Sequence, residues 1–416
     1  MTDLKKPELL IPAGSLEVLK VAVDYGADAV YIGGEMFSLR AKAHNFSKED
    51  MICGINYAHA HGVHVHVTAN ITAHNYDMDG VREYFKELNE IGPDAVLISD
   101  PGIFLIAKEV LSKDIELHVS TQANNTNYMT FKFWYDMGAK RVVGARELSL
   151  AEIKEIREKV PADLDIESFI HGAMCISYSG RCLLSNFMTG RDANRGACTH
   201  PCRWKYSLME ENRPGEYFPV YENERGTYIF NSKDLCMIEH IPEMVEAGIN
   251  SLKIEGRMKT ALYVATVART YRKAIDDFFE SEEKYRANME WYKTEIAKCT
   301  YRNFTTGFYF GKPDSDAQVY DNNVYCRNYT YLGIIEDVKE DGGFLITQRN
   351  KFSVGEEIEL MKFNGENNVF KVEKMTDEDG NEVESCPHPL QKIYVYGNVK
   401  PEKGEIIRIK DKEVVK

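Results

Sequence analysis

Eight short runs rich in β-branched and aliphatic residues recur along the first 254 positions, and their spacing constrains the fold more than any other feature. They read ELLIP (8–12), DAVYI (28–32), VHVHVT (63–68), DAVLI (94–98), ELHVS (116–120), RVVG (141–144), DIESFI (165–170) and SLKI (251–254). Successive starts lie 20 to 35 residues apart, the length of one strand and one helix, except for 86 residues between the seventh and eighth. The intervening segments are amphipathic and carry helix-start signals. Ser15 opens a run that ends at Gly26, and Ser47-Lys48-Glu49-Asp50 and Ser149-Leu150-Ala151-Glu152 read as capping boxes. Eight such units predict an α/β chain, a (β/α)8 TIM-like barrel with a large insertion after the seventh strand. An open doubly wound sheet is the alternative.

The texture changes after the eighth run. YVATVARTYRKAIDDFF repeats apolar residues at helical spacing within a helical stretch of 260–298. From 326 onward, YLGIIEDV, GFLITQR, EEIELMKF, NVFKVEKM, KIYVYG and EIIRIK alternate as short strands between DGG, NGEN and EDGN turns. This pattern predicts a small C-terminal all-β barrel. The expected domains are a catalytic barrel over 1–275 that includes a Cys-rich insertion at 171–245, a helical connector over 276–325, and the β-barrel over 326–416.

The 416 residues are 44% hydrophobic, enough to bury a sizeable core. Lys plus Arg is 51 against 65 Asp plus Glu, a formal charge of −14. A protein that coats nucleic acid without specificity is usually basic, so a nucleic-acid partner here requires a local patch. The first ten residues are charged and do not read as a signal peptide. No stretch of 18 uncharged apolar residues predicts a membrane span. The expectation is a cytoplasmic enzyme.

Four of nine cysteines, Cys175, Cys182, Cys198 and Cys202, fall within 28 residues inside the insertion. Disulfides are not expected in a large chain of this type. Thiolates are soft ligands for iron–sulfur clusters or zinc. Only Cys198 and Cys202 form a tight pair, whereas structural zinc usually takes two. A C-x3-C-x2-C radical cluster motif is excluded because Lys205 stands where its third cysteine belongs. The uneven spacing, with Gly180, Gly190 and Gly196 between, fits a 4Fe–4S cluster wrapped by a loop; zinc or four buried thiols are the alternatives. Cys236 is a further candidate ligand. Within residues 171–206 of the insertion, Arg181, Arg191, Arg195, Arg203 and Lys205 stand against one acid, Asp192. Such a basic island suits carboxylates or phosphates.

Barrel enzymes place reactive groups at the C-terminal strand ends. Here those ends read Ala13-Gly14-Ser15, Gly33-Gly34-Glu35, Asn70, Asp100-Pro101-Gly102, Thr121-Gln122, Arg146-Glu147, His171-Gly172 and Glu255-Gly256-Arg257. They predict a mouth lined with hydrogen-bonding groups. The run His59, His61, His64 and His66 is not expected to bind metal, and no H-E-x-x-H, G-x-S-x-G, P-loop or G-x-G-x-x-G is present.

Glu167-Ser168-Phe169-Ile170-His171-Gly172-Ala173-Met174-Cys175, followed by Tyr178-Ser179-Gly180-Arg181-Cys182-Leu183-Leu184-Ser185, resembles the signature of peptidase family U32. Asn194-Arg195-Gly196, Pro201-Cys202-Arg203, Asn231-Ser232-Lys233-Asp234-Leu235 and Leu252-Lys253-Ile254-Glu255-Gly256-Arg257-Met258-Lys259 agree with it. The resemblance spans the whole chain and is greatest to the family's prephenate-dependent tRNA uridine hydroxylation branch. It implies oxygen-independent hydroxylation of the tRNA wobble uridine to 5-hydroxyuridine, with a 4Fe–4S cluster and prephenate as co-substrate. Cys175, Cys182, Cys198 and Cys202 would hold the cluster, with Cys236 the alternative fourth ligand. Arg146, Arg181 and Arg257 are the expected clamps for a small anionic co-substrate, and His171 and Glu255 the expected proton-transfer groups. The family name implies the rival reading, a collagenase-like peptidase hydrolysing protein. A third is a non-catalytic adaptor. Expected partners are tRNA and the small acid, with no membrane; a partner subunit or second copy of the chain is also considered.

Overall fold

Strands covered by helices outside and packed side chains inside need apolar residues on both faces, and the eight runs supply them. The computed structural model describes residues 4–38, 45–175, 177–178, 181–193, 196–204, 207–208, 218–219, 233–313 and 326–415. Eight parallel strands form: β1 (Glu8–Pro12), β2 (Ala29–Gly33), β3 (His64–Ala69), β4 (Ala95–Ile98), β5 (Glu116–Val119), β6 (Arg141–Val143), β7 (Asp165–Ala173) and β8 (Ser251–Ile254). Each pairs with the next, and β8 pairs with both β7 (Ser251 with Glu167) and β1 (Ser251 with Glu8), which closes the barrel. Closure excludes the open doubly wound sheet.

Helices α1 (Leu16–Asp24), α2 (Lys48–Ala60), α3 (Met78–Ile91), α4 (Pro101–Val110), α5 (Tyr128–Met137) and α6 (Leu150–Lys159) follow the first six strands. Their starts sit where the sequence signals them. The Ser47 hydroxyl accepts the Asp50 N–H at 3.1 Å, and Ser149 and Glu152 form a reciprocal capping box. Each cap satisfies amides that the first helical turn leaves open, worth about 1 kcal/mol.

One layer of the barrel interior, at the N-terminal strand ends, is ionic. Arg141 donates to Glu8 at 2.5 Å and to Asp165 and Glu167 at 3.2 Å each. Lys253 donates to the fully buried Glu167 at 2.7 Å, and Ser251 to Glu8 at 2.9 Å. His66 and His118 meet edge-on in the same region, 4.9 Å between ring centroids. Matched charges make such a layer tolerable; removing one partner strands the rest and costs about 3–5 kcal/mol.

The insertion after β7 carries α7 (Leu184–Thr189) and α8 (Ile241–Glu246). It also adds a strand that sequence patterning does not reveal. Asp234–Cys236 runs antiparallel to the end of β7, pairing Asp234 with Ala173 and Cys236 with His171. Phe304–Thr305 lies parallel beside it.

The chain divides into two compact units: the described residues of Met1–Val23, Ala27–Lys259 and Arg302–Asn323 form one, and those of Asp24–Gly26, Thr260–Tyr301 and Val324–Lys416 the other. The second holds α9 (Ala261–Glu280), α10 (Glu282–Ala287), α11 (Met289–Ile296) and seven strands. These are β9 (Arg327–Val338), β10 (Phe344–Thr347), β11 (Glu357–Met361), β12 (Asn367–Lys371), β13 (Lys374–Thr376), β14 (Lys392–Tyr396) and β15 (Ile406–Val415). All pairings are antiparallel, in the order 12-11-15-9-10-14-13, so the expected small barrel is a half-barrel sheet. The run NVFKVEKM splits: β12 pairs with β11, and β13 pairs with β14. No helix among the described residues is long and apolar enough to cross a membrane.

Candidate active site

A cavity of about 190 Å³ opens at the C-terminal ends of the barrel strands. Residues in or just after every strand from β2 to β8 line it. Tyr31, Thr68, Asn70, Gln122 and Phe169 make much of the inner wall, and Arg146, Lys253, Glu255 and Arg257 bring charge to it.

Arg257 is 6% exposed and donates to Ser38 Oγ at 2.7 Å and Thr68 Oγ1 at 2.8 Å. Gly33 makes room for this side chain. A Cβ there would lie 2.2 Å from Arg257 Nη1, closer than any real contact. Arg146 donates to Glu255 Oε2 at 3.3 Å, and its guanidinium lies 3.9 Å from the Phe169 ring centroid. Glu255 is placed by a close approach of β7: its N–H donates to His171 O at 2.9 Å. Gly172, at φ +107°, has no Cβ to strike the Glu255 carbonyl.

The four clustered cysteines line this same cavity. Cys175 stands two residues after β7, Cys182 two residues before α7, Cys198 in the turn before the short 3-10 helix Pro201–Arg203, and Cys202 inside that helix. α7 is pinned to that turn by hydroxyls. Ser185 Oγ accepts the Thr199 N–H at 3.1 Å, and the Ser185 and Thr199 hydroxyls bond at 3.1 Å. Cys198 Sγ accepts the His200 N–H at 3.4 Å. Cys175 is open at the rim. Enclosure of its thiol nevertheless pushes its titration up, and Cys182 and Cys198 add to this against the pull of Arg146. Four soft donors around one cavity have the chemistry to hold an iron–sulfur cluster. Among the described residues no three His, Cys, Asp or Glu side chains draw together tightly enough for a single metal ion.

Of the residues singled out from sequence, the cavity thus gathers Arg146, Glu255, Arg257, Cys175, Cys182, Cys198 and Cys202. Cys236 is not among the lining residues; it sits on the added strand opposite His171. Arg181 is exposed and does not line the cavity. His171 is also outside the lining. It is buried with its ring 5.6 Å from that of Phe304, and burial, aided by Lys259, pushes its pKa down to about 3, so the imidazole is neutral near pH 7. Arg195 and Lys205 lie outside the described residues.

Lys253 was not a candidate from sequence. It lines the cavity floor, with its ammonium 4.4 Å from the Tyr31 ring centroid and its bond to Glu167 tying the cavity to the ionic layer. The signal that finds it is strand parity. Ser251 and Lys253 both reach Glu167 inside the barrel, and the same odd-numbered alternation continues through Glu255 and Arg257 at the cavity.

Residues 14–319 match the family described as Peptidase family U32, and residues 327–408 match the Peptidase family U32 C-terminal domain. The chain is 45% identical to tRNA hydroxylation protein P1 of Bacillus subtilis, over 93% of this chain and 91% of that one. It is 38% identical to tRNA hydroxylation protein P of Escherichia coli, over 92% of each. It is also 34% identical to the 23S rRNA 5-hydroxycytidine C2501 synthase of Escherichia coli, over 76% of this chain and 47% of that one.

Proposed function

This chain belongs to peptidase family U32, and from that premise and the cavity we propose that it is an RNA hydroxylase that converts the wobble uridine of tRNA to 5-hydroxyuridine without molecular oxygen. The observation that carries the reading is the convergence of four thiols and three cationic side chains, Arg146, Lys253 and Arg257, on one cavity at a barrel mouth. Similarity to proteins named for tRNA hydroxylation and for rRNA hydroxycytidine synthesis supports it.

Cys175, Cys182, Cys198 and Cys202 would hold a 4Fe–4S cluster, which supplies redox and Lewis-acid chemistry when bound. Zinc is the alternative. Among the described residues no three His, Cys, Asp or Glu side chains stand close enough together to hold a single ion. Arg257 and Arg146 bind the carboxylates of a prephenate-like dianion, and Lys253 adds positive potential below them. Glu255, held by Arg146, is the group placed to exchange a proton with the substrate. His171, neutral and behind the wall, supports the strand end that carries Glu255. The working compartment is the cytoplasm, where tRNA is available.

A peptidase would need a nucleophile aligned with a base. The Ser and Thr hydroxyls lining the cavity are engaged otherwise: Ser120 accepts from Asn70, Ser185 bonds to Thr199, Thr121 donates to Gly144 O, and Thr68 accepts from Arg257 and donates to Ile32 O. Mass spectrometry of tRNA nucleosides from a deletion strain tests the reading. Restoration of 5-hydroxyuridine derivatives by the wild-type chain supports it; no restoration, with chelator-insensitive cleavage of gelatin by the purified chain, overturns it for the peptidase.

A further inference from the structure

The cavity wall has an outer face. α7 contributes Leu184 and Ser185 to the cavity lining, while Phe187, two residues on, stands 85% exposed. Tyr178 and Trp204, from the same insertion, are 48% and 42% exposed. In the loop after β3, Tyr76 is also exposed and stacks flat against His74, with 5.5 Å between centroids and 4° between planes. These side chains all lie on segments that leave the C-terminal ends of the barrel strands. Exposed aromatic side chains on segments that border a cavity mark a binding surface.

The charge around them says for what. Arg181 and Arg191 are exposed on the insertion, whose residues 171–206 hold five Arg and Lys against one acid in a chain of charge −14. That acid, Asp192, accepts a hydrogen bond from Asn186. A purely apolar face would suit a protein partner. Aromatic rings interleaved with Arg suit unpaired nucleotides, whose bases stack on the rings while their phosphates meet the cations. A base must also leave its stack to enter a cavity, and its neighbours then need new stacking partners.

We propose that the outer face of the insertion, formed by Phe187, Tyr178 and Trp204 with Arg181 and Arg191, is a stacking platform for the unpaired nucleotides that flank the target base in an RNA loop. This rests on the RNA-hydroxylation reading and names how that substrate is held. The test is fluorescence anisotropy on the full, anaerobically prepared chain, with a stem-loop RNA carrying an unpaired loop and a blunt duplex of the same stem. The wild-type chain binds the stem-loop more tightly than the duplex. Phe187→Ala weakens stem-loop binding by about 5- to 140-fold, the range for losing one base–aromatic stack. Phe187→Trp restores it and Phe187→Leu does not, because leucine is apolar but has no π face. Tyr178→Ala gives a second, independent loss should Phe187→Ala disturb α7. Stem-loop affinity unchanged in both alanine variants, or fully kept in Phe187→Leu, overturns the platform while leaving uridine hydroxylation in tRNA intact. Failure of the nucleoside assay, with Phe187-dependent loop binding still present, overturns the reaction and leaves the platform standing.

Discussion

Replacing Arg257 with alanine separates binding from folding, because the local geometry predicts little structural damage. The two hydroxyls that Arg257 contacts are already bonded to each other, Ser38 Oγ to Thr68 Oγ1 at 2.9 Å, and Thr68 Oγ1 also donates to Ile32 O at 3.1 Å. Removing the guanidinium therefore strands neither hydroxyl. What is lost is a fork-shaped cation at the cavity. Truncating one partner of a buried, hydrogen-bonded charge pair costs roughly 2–5 kcal/mol. At 1.4 kcal/mol per decade that is a loss of about 30- to 4,000-fold in affinity for the anionic co-substrate. Arg257→Lys keeps the charge but not the planar fork and should fall between wild type and alanine. The assay is paired: calorimetric titration with prephenate, and 5-hydroxyuridine derivatives in tRNA from cells carrying each variant. Iron content should stay at the wild-type level, since Arg257 is not a thiol ligand. Wild-type prephenate affinity in Arg257→Ala would refute the assignment. So would loss of iron in parallel with loss of product, which would make Arg257 a structural support of the thiol loop.

Two further predictions concern the thiols and the barrel's response to acid. Cys175→Ser and Cys182→Ser should each abolish the iron–sulfur absorbance of anaerobically purified protein, whereas Cys236→Ser should keep it; the reverse pattern in iron and sulfide analysis would exchange Cys236 for one of the four. Burial pushes His66 down to about 4 against the pull of Glu8, and His171 to about 3, so both are neutral when folded. Their contribution to stability is complete above about pH 6.5, the unfolded value, and is lost as pH falls toward 4 and 3. Glu8 is held at about 2: burial would raise it, but the Arg141 charge and hydrogen bonds more than offset this. Its contribution is present above about pH 4.5 and is lost as pH falls through 2. The melting temperature should therefore be flat above pH 7 and fall in two stages on acidification. His66→Gln should make the upper stage shallower without abolishing it, because the other buried histidines still contribute; calorimetry that finds the upper slope unchanged in His66→Gln would count against this account.

The barrel was legible because each strand is a β-branched run bounded by capping or turn residues. The candidate site was legible where its residues lie beyond the strand ends, as with Arg146, Glu255, Arg257 and the clustered cysteines, which line one cavity. Inside the strands it was hidden. Lys253, Tyr31 and Phe169 belong to runs that read as core, and only the closed barrel shows which parity faces the cavity. His171 illustrates the limit from the other side. The pairing of β7 with β8 shifts register between Lys253 and Ile254, passing from Phe169 to His171, so counting alternate residues from Phe169 fails to predict which face His171 takes. The strand Asp234–Cys236 is three residues long and begins with a carboxylate, too little pattern to read. The split of NVFKVEKM reflects β12 and β13 pairing with different partners, a long-range choice.

The hollow left by Gly33 ties two distant positions into one heritable unit. Because even a methyl group there would collide with Arg257 Nη1 and with Ser38 Oγ, 2.3 Å away, neither position can drift alone without cost. A side chain at 33 requires both the guanidinium and the Ser38 hydroxyl to move, and losing the arginine alone leaves Ser38 Oγ still in the way. Glycine at 33 with arginine at 257 is therefore the pair to compare across related chains: a residue with a Cβ at 33 signals a different pose for the arginine.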